Sequence, residues 1–200
     1  MGIALPSFPI EAGELLQHVS RVKYRDAPLH FGRDRTNRYD DPKQTYGALY
    51  LGRDLPTALM ESVFHEHEWD RDTQRAITLT EIRSRLVRVV GVVEPLQLAD
   101  LTAPGVMAGH FGLNLGQLAS RDYTHTQHIS AQVHAMRGPD RHARFDGVLY
   151  PSRNNYPAAS LALFERAAPK IRVVDDIDLV EHVDWPGFVA DYRIGVVIAP

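Results

Sequence analysis

Two arginines in the first fifth of the chain have the chemistry to bind an anion. Arg21 lies in segment 18–24, where apolar and polar residues alternate as in a strand, and Arg38 lies late in the polar segment 25–45. Each guanidinium offers a planar fork of donors that matches a phosphate or a carboxylate. A solvated basic face is the ordinary explanation for such a pair. Arg21 favours a local anion site instead, because it shares a strand face with Val19.

An acidic residue and a tyrosine follow on two adjacent elements. Tyr50 belongs to the short apolar run 47–52, which predicts a buried strand, and Glu61 belongs to a predicted helix over about 55–67. Asp54 is placed to cap that helix. By periodicity alone Glu61 lies off the middle of the apolar stripe, as a surface carboxylate would. The strand–turn–helix connection nevertheless brings it within reach of Tyr50.

A third polar group follows a strand near residue 150. The segment YPSRNNYP (150–157) contains Ser152 and Asn154 at the end of an apolar run. Such residues often only close a turn, but they also supply neutral hydrogen bonds to a sugar or an amide. No Gly-x-Ser-x-Gly context surrounds Ser152, so the sequence does not predict a hydrolase nucleophile.

The histidines and glycines indicate neither a metal site nor a phosphate-binding loop. His65 and His67 are two positions apart, which on a helix turns them to nearly opposite faces. His125, His128 and His134 lack the carboxylate spacing of a zinc helix, and the chain has no cysteine, so we expect no metal. Neither a Walker A sequence nor Gly-x-Gly-x-x-Gly occurs.

The elements that must position these residues are mostly strands. Apolar or alternating runs predict strands over 75–82, 86–100, 145–152, 160–166 and 170–180, with a helix as the alternative for 160–166. Residues 103–138 contain two helical stretches. Because strands outnumber helices without a regular alternation of the two, we expect an α+β fold with a mixed sheet. We expect one domain over 1–200.

Composition bounds the environment and the partners. The 200 residues are 44% hydrophobic and 24% charged, as in ordinary globular proteins. The net charge of −3 gives no general attraction to nucleic acid, and no apolar run of about 18 residues predicts a membrane span. The N-terminus has no basic segment ahead of its apolar stretch, and cysteine is absent. We therefore expect a cytoplasmic protein.

Four segments, taken in order, resemble the RES domain family. They are SRVKY (20–24), RTNRYDDP (35–42), ALYLGRDLPTALMES (48–62) and DGVLYPSRNN (146–155). The most specific feature is Tyr50 followed by Glu61 eleven positions later, paired with the strand end near residue 150. Family members often show GGRWN where this chain has TNRYDD (36–41). The likeness extends over about residues 15–175.

That family is named for an Arg, a Glu and a Ser, and it includes bacterial toxins that consume NAD⁺. The resemblance implies a mixed, split β-sheet with flanking helices, similar to ADP-ribosyltransferases, with NAD⁺ in the cleft between the two halves. NAD⁺ is then a substrate, and no cofactor is implied. A non-catalytic binding module on the same scaffold is the alternative.

The resemblance also assigns roles to individual residues. Glu61, Arg38 and Tyr50 would be catalytic, with Glu61 stabilising positive charge on the ribose as its bond to nicotinamide breaks. The implied substrate-binding residues are Arg21, Tyr39, Ser152 and Asn154. In this assignment Arg21 and Arg38 hold the pyrophosphate or a phosphate acceptor.

The acceptor and the partners are implied only in outline. Inorganic phosphate, water or a protein side chain would make the protein an NAD⁺ phosphorylase, a glycohydrolase or an ADP-ribosyltransferase respectively. The crowding of cations between 21 and 38 mildly favours phosphate. The resemblance further implies an Xre-like helix-turn-helix antitoxin that covers the cleft, with a homodimer inside such a complex. Direct contact with nucleic acid or membrane is not expected.

Overall fold

The computed structural model describes residues 5–65 and 75–198. Ten strands lie within these ranges: β1 Ser7–Ile10, β2 Leu15–Arg21, β3 Ala48–Leu51, β4 Ala76–Thr78, β5 Arg85–Val92, β6 Leu96–Asp100, β7 Gly147–Pro151, β8 Ala159–Phe164, β9 Ile171–Asp178 and β10 Gly195–Val197. The α-helices in the same ranges are α1 Leu55–Met60, α2 Leu79–Arg83, α3 Leu115–Ala119, α4 Thr124–Ala135 and α5 Trp185–Asp191. A π-helical turn at Val106–His110 precedes α3.

The strands form two main sheets and one small one. The five-stranded sheet has the order β1-β6-β7-β8-β3, in which only β6 and β7 run parallel. The three-stranded sheet, β2-β5-β9, is antiparallel, and β10 pairs with β4 in parallel. An isolated bridge between Gln17 and Gly52 links the two main sheets. The predicted α+β fold, with a mixed sheet and flanking helices, is confirmed.

Several element boundaries differ from the sequence prediction. The predicted strand 18–24 begins earlier and ends at Arg21, after which Val22–Tyr24 forms a 3₁₀ turn. The predicted strand 75–82 is strand only to Thr78, whose hydroxyl accepts a hydrogen bond from the Glu81 backbone and starts α2. Local capping therefore prevails over the alternation of apolar residues there.

Two further predictions need correction. The apolar run 86–100 is two strands, because residues 93–95 turn the chain between β5 and β6. The predicted helix 55–67 ends at Met60, with Glu61 as its C-terminal cap, and the last two predicted residues lie outside the described part of the chain. The two helices expected within 103–138 are present as α3 and α4.

The connection from β3 to α1 fixes the position of Glu61. The Asp54 carboxylate accepts a hydrogen bond from the Thr57 backbone at 2.8 Å and caps α1, as predicted. Leu55 and Leu59 are fully buried and hold the helix on the core. A Cβ at Gly52 would lie 2.5 Å from the backbone nitrogen of Ala58, so only glycine permits this close approach.

None of the helices in the described residues is both long enough and apolar enough to cross a bilayer.

Candidate functional site

The Glu61 carboxylate contacts the end of β7. Ser152 Oγ donates to Glu61 Oε1 at 2.7 Å, and the Tyr150 hydroxyl donates to Glu61 Oε2 at 3.1 Å. Ser152 and Tyr150 are almost fully buried, whereas Glu61 is half-buried. Tyr150 and Ser152 are two residues apart, the spacing that places side chains on one face of an extended segment. The structure therefore brings together Glu61 and Ser152, both predicted site residues.

Tyr50 is held in a second hydrogen-bond network beside this carboxylate. Its hydroxyl donates to Asp40 Oδ1 at 2.9 Å and accepts from the Tyr39 backbone nitrogen at 2.9 Å. Asp40 is fully buried, and its other oxygen accepts from the Asn37 backbone at 2.9 Å. Tyr50 thus shares a cavity wall with Glu61, as predicted, but its hydroxyl is bonded to Asp40.

The tyrosines of the site stay protonated at neutral pH. Burial raises the pKa of Tyr50 and of Tyr150 well above the usual value, and the nearby Asp40 and Glu61 carboxylates add to the respective increases. Burial likewise raises the pKa of Tyr39 to about 12, against the opposing effect of Arg38. These hydroxyls therefore remain hydrogen-bond donors.

Arg38 lies over this aromatic cluster. Its guanidinium carbon is 5.2 Å from the Tyr150 ring centroid and 5.6 Å from that of Tyr39. Nη2 donates to the Leu118 carbonyl at 3.1 Å, while buried Nε has no hydrogen-bond partner among the described residues. Burial alone would lower the pKa of Arg38, but the surrounding phenols and the Glu61 carboxylate raise it.

Two cavities meet at Arg38. The inner one, about 20 Å³, is lined by Asn37, Arg38, Tyr50, Met60, Glu61, His65, Tyr123, Arg153 and Asn154. The outer one, about 220 Å³, is lined by Arg38, Tyr39, Leu118, Pro151, Ser152, Arg153 and Tyr156. The inner volume suffices for one water-sized group, since a water needs about 10–15 Å³ on this measure. A dinucleotide must therefore extend into the outer cavity or displace parts of the wall.

Arg21 does not join this cluster, contrary to the prediction that it lies beside Arg38. It is at the end of β2, where its exposed side chain pairs with Glu81 at 3.4 Å and donates to Ser84 at 3.3 Å. Neither the inner nor the outer cavity is lined by it. The ion pair with Glu81 of α2 holds this guanidinium where β2 meets α2.

The guanidinium that accompanies Arg38 is that of Arg153. It lines both cavities, and its Nη2 donates to the His65 carbonyl at 2.8 Å. Asn154 also lines the inner cavity, where its amide nitrogen donates to the carbonyls of Phe64 and His65 at 3.2 and 3.0 Å. These contacts tie the turn after β7 to the segment after Glu61.

Sequence reasoning missed Asp40, Tyr150 and Arg153. Tyr150 had a usable signal, because it lies two residues before Ser152 on a predicted strand and so shares its face. Arg153 follows Ser152 directly in the same polar segment. For Asp40 no local signal was available, since its contact with Tyr50 depends on how the loop folds back onto β3.

The described residues contain no group of three His, Cys, Asp or Glu side chains that could hold a metal ion. His134, one of the histidines considered from sequence, stacks on Tyr46 with ring centroids 3.7 Å apart. His67 lies outside the described part of the chain.

Comparison with known proteins gives one family. The RES domain model matches residues 15–186, a segment that contains Arg38, Tyr50, Glu61 and Ser152. No curated protein matches the chain.

Proposed function

This chain belongs to the RES domain family, and we propose that it is a toxin-like enzyme that cleaves the bond between nicotinamide and ribose in NAD⁺. One observation carries the proposal. The Glu61 carboxylate is held between Ser152 Oγ and the Tyr150 hydroxyl, on the wall of a cavity that Arg38 also lines. Family membership is consistent with an enzyme that uses NAD⁺, and the particular reaction is our proposal.

Breaking this bond leaves positive charge on the ribose while nicotinamide departs with the bonding electron pair as a neutral molecule. A fixed carboxylate stabilises that charge as it develops. Each Glu61 oxygen accepts one hydrogen bond from the protein, and a carboxylate oxygen has further lone pairs for ribose hydroxyls. Ser152 and Tyr150 thereby orient Glu61, so little reorganisation is needed during the reaction.

The anionic part of NAD⁺ needs cations close to that carboxylate. Arg38 and Arg153 both line the inner and outer cavities and are our candidates for binding the pyrophosphate. Asn154 and Tyr39 line the inner and the outer cavity respectively, and we propose them as positioning residues. Arg21 takes no part in this proposal, because its side chain is paired with Glu81.

We propose phosphate or water as the acceptor of the ADP-ribosyl group. The cations between 21 and 38 no longer favour phosphate, because three of them are paired with carboxylates: Arg21 with Glu81, Arg25 with Asp178, and Arg33 with Glu165. Attack by phosphate gives ADP-ribose 1″-phosphate, whereas attack by water gives ADP-ribose and a proton. A protein side chain as acceptor is the further alternative.

Incubation of the purified protein with NAD⁺, with and without inorganic phosphate, tests the proposal. We expect free nicotinamide in at least the phosphate-containing reaction, and the mass of the second product identifies the acceptor. An ADP-ribosyl group on protein would appear as an increase in protein mass. Intact NAD⁺ under both conditions would contradict the proposed activity and favour a non-catalytic binding module.

An enzyme that consumes NAD⁺ has to be restrained in the cell that makes it. We therefore propose a protein partner, an Xre-like helix-turn-helix antitoxin, that covers the outer cavity. Expression of the chain alone should lower cellular NAD⁺ and stop growth, and co-expression with its cognate antitoxin should restore both. Unchanged NAD⁺ on expression of folded protein would argue against the toxin role.

A further inference from the structure

The outer cavity has one charged wall and one apolar wall. Arg38 and Arg153 form the side that it shares with the inner cavity, and Leu118, Pro151 and Tyr156 form the remainder together with Tyr39 and Ser152. At about 220 Å³ it is some ten times larger than the inner cavity. The family match does not distinguish which end of a dinucleotide lies here.

Tyr156 is the unusual residue of this cavity. Its side chain is 83% exposed, although most large aromatic residues of the described chain are buried or half-buried. An uncovered aromatic ring at the rim of an apolar pocket provides a platform on which a planar base can stack. Leu118 and Pro151 supply apolar surface in the same pocket.

The charged residues that line the two cavities indicate whether the outer cavity binds adenine or nicotinamide. Arg38 and Arg153 line both cavities, whereas the Glu61 carboxylate lines only the inner one. The cationic nicotinamide ring of NAD⁺ is therefore favoured beside Glu61 and disfavoured in the outer cavity, whose lining has two guanidinium groups and no carboxylate. The adenine ring is neutral, and the adjoining diphosphate is anionic. A diphosphate beside Arg38 and Arg153 places adenine against the apolar wall and leaves the nicotinamide ribose on the Glu61 side.

We propose that the outer cavity binds the adenosine diphosphate end of NAD⁺, with adenine stacked on Tyr156 and the diphosphate on Arg153. This inference rests on the proposed function and adds a specificity-determining residue to it. Tyr156 selects a dinucleotide with a planar base, and it takes no part in breaking the glycosidic bond.

A larger cavity elsewhere offers a competing position. About 530 Å³ in volume, it is lined by His18, Ser20, Tyr24, Ala27, Pro28, His30, Asp34 and Arg88. It shares no lining residue with the inner cavity, whereas the outer cavity shares Arg38 and Arg153. Tyr24, which is 48% exposed, gives this cavity an aromatic residue comparable to Tyr156 and therefore supplies a matched control.

Calorimetric binding of ADP-ribose to the full chain tests the inference without requiring turnover. The variants are Tyr156→Ala, Tyr156→Phe, Tyr24→Ala and Arg153→Gln. We expect Tyr156→Ala to weaken binding at least about fivefold, the lower end of the loss when a stacked base loses its aromatic partner. Tyr156→Phe should bind as the wild type does, because a phenyl ring still stacks. Arg153→Gln should weaken binding and reduce its salt dependence.

The outcomes separate this inference from the proposed function. Wild-type affinity in Tyr156→Ala, or a loss in Tyr24→Ala without a loss in Tyr156→Ala, overturns the adenine site even if NAD⁺ is cleaved. Absence of ADP-ribose binding to the wild-type protein also overturns it. Binding that depends on Tyr156 in a protein that leaves NAD⁺ intact supports the adenine site and contradicts the proposed activity.

Discussion

At the scale of single residues, the site consists of two carboxylates held by tyrosine hydroxyls. Glu61 accepts from Tyr150 and from Ser152, and Asp40 accepts from Tyr50. Because burial keeps the phenols protonated, these donors persist across the neutral pH range. The two carboxylates differ in position: Glu61 lines the inner cavity, whereas Asp40 is fully buried and accepts a hydrogen bond from Tyr50.

Ser152→Ala should lower kcat more than it changes KM. The substitution removes the 2.7 Å hydrogen bond that orients Glu61 and leaves the arginines of the cavity in place. We expect a loss in kcat of about tenfold to 10²-fold, somewhat below the loss of a direct electrostatic contact. Steady-state kinetics of NAD⁺ cleavage measure it, with exposed Ser7→Ala as the control. An unchanged kcat would remove Ser152 from the mechanism.

Asp40→Asn and Asp40→Ala should differ. The asparagine carboxamide keeps an oxygen that can accept from the Tyr50 hydroxyl, although its amide nitrogen cannot accept from Asn37 as Asp40 Oδ2 does. We therefore expect Asp40→Asn to lose less stability than Asp40→Ala, also because burial raises the pKa of Asp40 and so disfavours its charge. Asp40→Ala leaves that hydroxyl without its acceptor and should lower the free energy of unfolding by about 1–3 kcal/mol. Denaturant unfolding distinguishes the two, and equal losses would show that the Tyr50 contact is unimportant.

At the residue scale the resemblance to the RES domain family grouped Arg38, Tyr50, Glu61 and Ser152, and the structure brings these four side chains around the adjoining cavities. The structure does not place the other predicted arginine, Arg21, at these cavities. Its position depends on which face of β2 meets α2, where Glu81 attracts Arg21, and no local pattern encodes that contact between distant segments.

At the scale of elements, the turn from β3 into α1 determines where Glu61 lies. The cap at Asp54 and the apolar spacing were sufficient to predict this helix and its start. The C-terminal end of α1 was not predictable from the local sequence. Glu61 is the C-terminal cap residue, and its carboxylate accepts hydrogen bonds from Tyr150 and Ser152, which are about ninety positions away in sequence. The split of 86–100 into two strands likewise depends on their separate partners, β2 and β9 for one and β1 and β7 for the other.

Gly52→Ala should destabilise the protein and reduce activity. The added methyl group would lie 2.5 Å from the Ala58 nitrogen and 2.9 Å from the Asp54 carbonyl oxygen, both backbone atoms, so α1 must shift. We expect a loss of about 1–3 kcal/mol in the free energy of unfolding. Gly187→Ala is the matched control, since a Cβ in that position of α5 meets nothing within 4 Å. Equal stability of the two variants would contradict the close approach at Gly52.

At the scale of the whole molecule, histidines whose pKa values are lowered in the fold make the stability depend on pH. Burial lowers the pKa of His134 to about 4, and nearby Arg166 contributes to the decrease. Burial also lowers the pKa values of His18 and His182. The unfolded chain therefore binds more protons than the folded one below about pH 6.5, and the free energy of unfolding falls as the pH decreases from there to about 4.

His134→Gln should reduce that dependence. The neutral amide removes one group whose proton binding favours the unfolded chain, so stability should fall less between about pH 6.5 and 4. Chemical unfolding at several pH values measures the effect, with exposed His142→Gln as the control. Carboxylates with a lowered pKa, such as Asp41, act in a separate window at lower pH. An unchanged slope in His134→Gln would contradict the assignment.

The overall architecture followed from composition and periodicity, because a mixed set of strands without regular crossovers restricts the fold class. The pairing of strands did not follow, since β1 and β3 lie at opposite edges of one sheet while β2, which lies between them in sequence, belongs to the other main sheet. That arrangement places the ends of β3, α1 and β7 around one cavity.

The central claim is that the Glu61 carboxylate stabilises the breaking nicotinamide–ribose bond. The most direct test is the rate of nicotinamide release from NAD⁺ by the wild-type protein, Glu61→Gln and the exposed control Glu94→Gln. Glu61→Gln keeps the shape and removes the charge, so we predict a loss of about 10²–10³-fold in kcat with ADP-ribose still bound. Glu94→Gln should match the wild type. Wild-type turnover in Glu61→Gln would contradict the claim.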